Sequence, residues 1–348
     1  KELRAGTALE EAPVAYQQRS GAAWLPRNYD RHYMGRIVLR DALKFSVNII
    51  TVKILDIVGY DAVTAVAGDL FHIQLADREK RFMRAHSLAL GGSECTPFEL
   101  CNAFAILANN GKDVQPISIL KVYDRDGKLI DDFLQKRDFD RQTGKRIEPK
   151  EIIPIAPLYI LLTMLEDVVK TGTASKAYKE SGLTRRAGGK TGTASNWKDI
   201  WFAGFTPQLA ATVWMGFDDP GLSLGRDASS SEVAAPVVLN FLHRALQGEP
   251  STWYNTPGGV YQGSICKISG KAPTKDCDKS NIYTEYFLQG TGPDGICEDC
   301  KRGIGSAVSN IKGFQIGRRP GDPPAGTTGG TGQSITGGSL KPRDIFDE

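Results

Sequence analysis

Gly188-Gly189-Lys190-Thr191-Gly192-Thr193, then Asp199-Ile200-Trp201-Phe202-Ala203-Gly204-Phe205-Thr206-Pro207, then Ala210-Ala211-Thr212-Val213-Trp214-Met215-Gly216-Phe217 is the stretch that decides the fold. Its β-branched and aromatic runs over Lys190–Ala194, Ile200–Thr206 and Ala210–Phe217, split by turn residues, predict three consecutive antiparallel strands. Downstream, Ala234 to Leu246 has helical spacing. Upstream, residues 154–170 form an apolar helix, and Thr96-Pro97-Phe98-Glu99 is a capping box with proline at the first helical position. The helix it opens should end near Asn109-Asn110-Gly111. Ile117–Tyr123 and Lys128–Ile130, joined by Asp124-Arg125-Asp126-Gly127, predict a hairpin. Earlier still, Asp61 is expected to cap a helix running to Phe71. Apolar positions Leu39, Ala42, Leu43 and Phe45, then Ile49, Val52, Leu55 and Val58, mark two helical stretches broken by Ser46-Val47-Asn48. Helices first and strands later predict an α+β fold.

The flanks carry less pattern. Residues 1–35 and 250–315 are expected to be irregular, and Gly and Pro fill nearly half of positions 320–342, a composition that predicts disorder. The expected division is 1–248, 249–316 and 317–348. The whole chain has 348 residues with net charge +3, 41% hydrophobic and 24% charged, which excludes a nucleic-acid partner recognised by a basic face. No run is apolar enough to cross a membrane, and no signal peptide is visible.

Two short motifs carry chemistry. Ser46-Val47-Asn48 and Lys190-Thr191-Gly192 are the S-x-N and K-T-G elements of the serine acyltransferases that react with penicillin, in the expected order. Each alone recurs by chance, Ser46 and Asn48 as a helix break with an N-cap, and Lys190-Thr191-Gly192 as a turn before a strand. Gly189-Lys190-Thr191 also mimics the end of a phosphate-binding loop, but Thr184 stands where that motif needs glycine and a strand follows instead of a helix. The hexapeptide Lys-Thr-Gly-Thr-Ala-Ser occurs at 170–175 as well as at 190–195. The first copy, ending a helix, is expected to be structural punctuation, with Lys170 away from the site.

The likeness extends beyond the motifs. Leu39-Arg40-Asp41-Ala42-Leu43 before Ser46, Leu88-Ala89-Leu90-Gly91-Gly92 leading into the capping box, and the blocks around Lys190, Trp201 and Trp214 resemble class A penicillin-binding proteins, bifunctional peptidoglycan synthases. The stretch ending Tyr286-Phe287-Leu288-Gln289-Gly290-Thr291 resembles that family's C-terminal extension. The resemblance implies the penicillin-binding transpeptidase and serine β-lactamase-like fold, a helical lobe plus an antiparallel sheet. It implies D,D-transpeptidase chemistry through an acyl-serine on peptidoglycan peptide stems ending in D-Ala-D-Ala, with β-lactams as acylating inhibitors. Ser46 would relay a proton, Asn48 hold the stem amide, Lys190 face the terminal carboxylate with the Thr191 and Thr193 hydroxyls, and Gly192 admit the substrate to the strand edge. The Thr193 N–H would be one oxyanion donor. No cofactor or metal is expected. The alternatives are a carboxypeptidase or β-lactamase-type hydrolase, in which water replaces the acceptor amine, and a non-catalytic penicillin-recognition module.

One element departs from the family. Its nucleophilic serine and lysine lie on an S-x-x-K helix before S-x-N, yet here Ser118–Lys121, Ser195–Lys198, Ser264–Lys267 and Ser309–Lys312 all follow Ser46. The chain is therefore expected to be a fragment starting just downstream of that helix and inactive alone. The parent enzyme is expected to face the periplasm, held to the cytoplasmic membrane by an upstream anchor. In that oxidising compartment the late cysteines favour disulfides. Cys297 and Cys300 have zinc-like C-x2-C spacing, but ten residues separate Cys266 from Cys277. A long-range pairing from Cys266 or Cys277 to Cys297 or Cys300 is expected, while Cys95 and Cys101 serve as apolar fillers.

Overall fold

A computed structural model of the chain describes residues 3–17, 23–28, 33–140, 142–225 and 228–301. Four short strands open it: β1 (Ala8–Glu11), β2 (Tyr16–Gln17), β3 (Ala23–Trp24) and β4 (Gly35–Val38). β1 pairs with β4 and β2 with β3, both antiparallel. The expectation of an irregular start was wrong, because strands this short carry no readable alternation and the β1–β4 partners lie far apart in sequence.

Helices follow: α1 (Leu39–Lys44), α2 (Asn48–Val58), α3 (Tyr60–Leu70), α4 (Leu75–Arg81) and α5 (Pro97–Ala108). The capping box of α5 forms as predicted, Thr96 Oγ1 accepting from the Glu99 N–H at 3.2 Å and Glu99 Oε2 from the Thr96 N–H at 2.7 Å. Gly59, at φ +89°, precedes α3, so Asp61 sits inside the first turn and not at the cap. There its carboxylate still opposes the positive end of the helix dipole. The hairpin is β5 (Lys121–Tyr123) with β6 (Leu129–Asp132), starting later than predicted and leaving Ser118 outside the strand.

Next come α6 (Phe133–Asp138), α7 (Ile155–Lys170) and α8 (Ser175–Glu180), then β7 (Gly188–Thr193), β8 (Asp199–Phe205), β9 (Ala210–Gly216) and α9 (Ala234–Ala245). The three strands form one antiparallel sheet in the order β7-β8-β9, with Lys190 opposite Ala203. Strand alternation sends Ile200 and Phe202 to one face, where they pack with Val238, Leu239 and Leu242 of α9. Phe205 goes to the other, against Leu107 of α5 and Leu158, Leu162 and Leu165 of α7. The sheet is thus buried between two helical layers, and β7 is an edge strand among the described residues. Gly188 and Gly189 are there for a packing reason: a Cβ on the first would collide with the ring of Phe205, and one on the second with the ring of Phe202. The α+β expectation holds.

The C-terminal stretch is more ordered than expected. β10 (Val260–Cys266) and β11 (Ile282–Leu288) pair antiparallel over seven residues each. Glycine, proline and cysteine in the connection masked two β-rich runs. The tail from 317 onward, expected to be disordered, lies outside the described residues.

Candidate active site

Ser46 occupies an unusual backbone position. α1 ends in a reversal in which the Ser46 N–H bonds Leu43 O at 3.1 Å and the Val47 N–H bonds Ala42 O at 2.8 Å. That is the Schellman pattern, which places its C′ residue in the left-handed region and favours glycine there. Serine fills it here, at φ 56°. Val47 and Ala42 pack together beneath the turn, the hydrophobic contact that accompanies this motif. A strained non-glycine residue is retained where its side chain is needed. Comparing variants isolates the strain: Ser46→Gly is expected to be more stable than Ser46→Ala by about 1–2 kcal/mol in chemical denaturation, since both lack the hydroxyl and only glycine tolerates the backbone. Equal stabilities would contradict it.

The hydroxyl so presented meets Lys190. Lys190 Nζ donates to Ser46 Oγ at 2.7 Å and to Thr191 O at 2.9 Å, joining residues 144 positions apart. Protein surrounds the ammonium closely, and desolvation alone pulls its pKa from 10.5 down to about 8. A lysine depressed in the folded state costs stability while both states hold the proton, and that cost fades as pH rises from about 8 toward 10.5. Measured against Lys190→Met, the chain should therefore gain stability through that window. A flat difference would refute the burial argument.

Asn48 is the first residue of α2, and Val47 is its cap. The Asn48 N–H is satisfied by Asn28 Oδ1 at 3.1 Å, and Asn48 Nδ2 donates to Arg27 O at 2.8 Å. Asn28 is held in turn by buried Glu11, which also accepts from the Met34 N–H at 2.6 Å. The segment around Arg27 and Asn28 thus braces the S-x-N turn, a role for which the sequence carried no motif.

Of the K-T-G residues, Thr191 Oγ1 shares a hydrogen bond with Thr173 Oγ1 at 2.9 Å, while Thr193 Oγ1 accepts from the Ser230 N–H at 3.3 Å. Gly192 lies opposite Trp201 on β8. Lys170 sits exposed at the end of α7, as expected, but the first copy of the hexapeptide is more than punctuation. Its Thr173 touches Thr191, and its backbone N–H reaches Lys44 O, at the end of α1, at 3.3 Å. Gly172 makes this possible, since a Cβ there would lie 2.5 Å from Lys44 O. The repeated Thr-Gly-Thr was the available signal. Arg186, just ahead of β7, clamps Glu166 of α7 through two bonds of 2.6 Å and lies 4.6 Å over the Trp253 ring, fixing where the strand begins.

Among the described residues, no S-x-x-K match brings a helical serine–lysine pair to this site. Ser195 lies in a single 3-10 turn and Ser264 on β10; Ser309 lies outside the described residues.

A sheet walled by helices on both faces thus brings a lysine on its edge strand to a serine on a helix-ending turn. Residues 9–243 match the penicillin-binding protein transpeptidase domain and residues 256–302 the C-terminal domain of penicillin-binding protein 1A. The chain belongs to the penicillin-binding protein transpeptidase family, as a class A transpeptidase region. It is 32% identical to penicillin-binding protein 1A of Neisseria lactamica over 76% of this chain and 32% of that protein. It is 31% identical to penicillin-binding protein 1A of Aquifex aeolicus over 83% of this chain and 36% of that protein. The chain therefore spans about a third of the length of these curated relatives. Among solved structures, penicillin-binding protein 1A of Haemophilus influenzae superposes with a TM-score of 0.74 at 25% identity, over 85% of this chain and 46% of that one. Penicillin-binding protein PonA1 of Mycobacterium tuberculosis, at 19% identity and a TM-score of 0.59, covers 80% of this chain and 71% of that one and shares the fold.

Proposed function

We propose that Ser46, Asn48 and Lys190–Thr193 form the S-x-N and K-T-G half of a D,D-transpeptidase centre that cross-links peptide stems ending in D-Ala-D-Ala and is acylated by β-lactams. The observation that carries this reading is the 2.7 Å bond between Lys190 Nζ and Ser46 Oγ. In the reaction a serine oxygen, supplied by an S-x-x-K helix, adds to the penultimate carbonyl, and the terminal D-Ala leaves with a proton. Ser46 stands where it relays that proton, polarised by the ammonium beside it. Lys190, still largely protonated at neutral pH, attracts the terminal carboxylate and is close enough to its pKa to exchange a proton. Asn48 has committed its Nδ2 to Arg27, so Oδ1 serves the stem as an acceptor for an amide N–H. Thr191 and Thr193 complete the carboxylate pocket, and the Thr193 N–H serves the oxyanion.

An amine acceptor separates the transpeptidase from a hydrolase, and the class A match favours the amine. The parent protein is proposed to act at the periplasmic face of the cytoplasmic membrane, anchored through residues outside this sequence; no described helix is long and apolar enough to cross a membrane.

Fluorescent penicillin tests the assignment. The chain as given is expected to stay unlabelled, and a fusion carrying a relative's S-x-x-K helix ahead of it should be labelled covalently. Labelling of the unfused chain that disappears on changing Ser118, Ser195, Ser264 or Ser309 would refute the reading, as would a well-folded fusion indifferent to Ser46→Ala.

A further inference from the structure

The late cysteines were expected to form disulfides, with no metal. The structure instead gathers Cys266, Cys277, Cys297 and Cys300 into one cluster, with all four sulfurs within 4.8 Å of one another. Cys300 Sγ stands 3.7 Å from Cys266 Sγ and 3.6 Å from Cys297 Sγ, so neither partner is singled out for a bond. Four thiolates around zinc at about 2.3 Å would put neighbouring sulfurs about 3.8 Å apart, the edge of a regular tetrahedron. The observed separations match that edge. Three of the four residues are buried, and Ile268 and Ile282 pack against them.

The backbone around the quartet is shaped for thiolates. Cys266 ends β10, and the chain turns back at once, the Gly270 N–H bonding Cys266 O at 2.8 Å. The Thr274 N–H is directed at the Cys277 sulfur at 3.4 Å, and the Thr274 hydroxyl stands 3.7 Å from the same sulfur. N–H donors aimed at sulfur offset the negative charge that a metal-bound thiolate retains. A parallel bridge between Ala272 and Ile296, with the Cys297 N–H bonding Ala272 O at 2.7 Å, holds the two halves of the quartet together.

We propose that Cys266, Cys277, Cys297 and Cys300 bind one zinc ion in a closed, structural site made of all four thiolates. Four sulfurs fill the tetrahedron and leave no position for a substrate, and soft thiolates select zinc over magnesium or calcium. Binding releases the thiol protons to solvent and leaves every sulfur at its present oxidation level, so no oxidant is needed. The Cys297–Cys300 turn is already docked to the rest of the fold through Arg36 of β4, whose Nη1 lies 2.8 Å from Asp299 Oδ2. The ion would lock the end of the β10–β11 hairpin to that turn. This inference stands independently of the proposed activity.

The full chain, purified under reducing conditions, reconstituted with zinc and dialysed, is expected to hold one zinc by elemental analysis. Cobalt(II) in its place should show the visible bands of tetrahedral thiolate coordination. Cys300→Ser and Cys277→Ser should abolish both signals, while Cys101→Ser leaves both intact. The cobalt spectrum of the unmutated chain decides the matter even where a variant fails to fold. The proposal is overturned by substoichiometric zinc with all six thiols of the denatured chain titratable, by two disulfides in metal-free native protein, or by iron bound in preference to zinc.

Discussion

Glu285→Ala is expected to destabilise the chain by about 3–5 kcal/mol, the cost of stranding a buried charge. Glu285 is wholly buried on β11, and it accepts from Arg40 Nε at 2.8 Å and Arg40 Nη2 at 2.5 Å. Arg40 is also buried, and donates as well to Asp167 Oδ2 at 2.8 Å and Thr163 Oγ1 at 3.0 Å, both on α7. The carboxylates around it hold the guanidinium protonated against the desolvation that would neutralise it. Truncating Glu285 therefore leaves a cation that cannot give up its proton. Urea denaturation measures the loss, and two controls separate charge from packing. Glu285→Gln should cost less than alanine, because it keeps an acceptor. Arg40→Met combined with Glu285→Leu should recover much of the stability, since apolar replacement of a buried pair is often neutral or better. A double variant no better than Glu285→Ala would show that the pair acts through shape alone.

In the fusion that restores the S-x-x-K helix, Lys190→Ala is expected to slow penicillin acylation by about 100-fold or more, the range for losing a positioned proton-transfer group. Ser46→Ala should fall in the same range. Because the two side chains share one 2.7 Å hydrogen bond, the double variant should be little slower than either single one. Additive losses would mean that they serve separate steps. Lys190→Arg tests the geometry further. A guanidinium keeps the charge but is a planar fork that does not release its proton, so carboxylate affinity should survive better than the rate.

Much of this fold was legible in local pattern. The capping box ahead of α5, the apolar length of α7 and the three runs flanking Trp201 and Trp214 each declare their structure within a dozen residues, and each formed where expected. What escaped is non-local. β1 finds β4 across an intervening pair of strands, and β10 finds β11 across a turn-rich connection. The first pair is too short to announce a partner, and the second is hidden by its connection. The site divides in the same way. Ser46 and Lys190 were readable because their motifs have fixed spacing, whereas Thr173, Asn28 and Arg186 act through contacts that only the folded chain creates. Arg40 belongs to the Leu39–Leu43 run, but its partner Glu285 sits 245 residues on, and no spacing rule connects them. The cysteines were the reverse case. Spacing counted against a metal because it measures chain length, while the turn after Cys266 and the Ala272–Ile296 bridge fold the long connection away.

The edge position of β7 has a consequence for solubility. A free strand edge offers its amides and carbonyls to any passing strand, including that of another copy, and proteins commonly defend such edges with lysine or by weakening the strand. β7 carries both defences. Gly192 denies it a side chain that could pack against a second sheet, and Lys190 puts a charge in its middle. An extended ligand bearing a carboxylate meets that charge as an attraction, whereas a second β7 would meet it as a like charge. The features proposed to receive a peptide stem at this edge would thus also turn away the edge of a sister molecule.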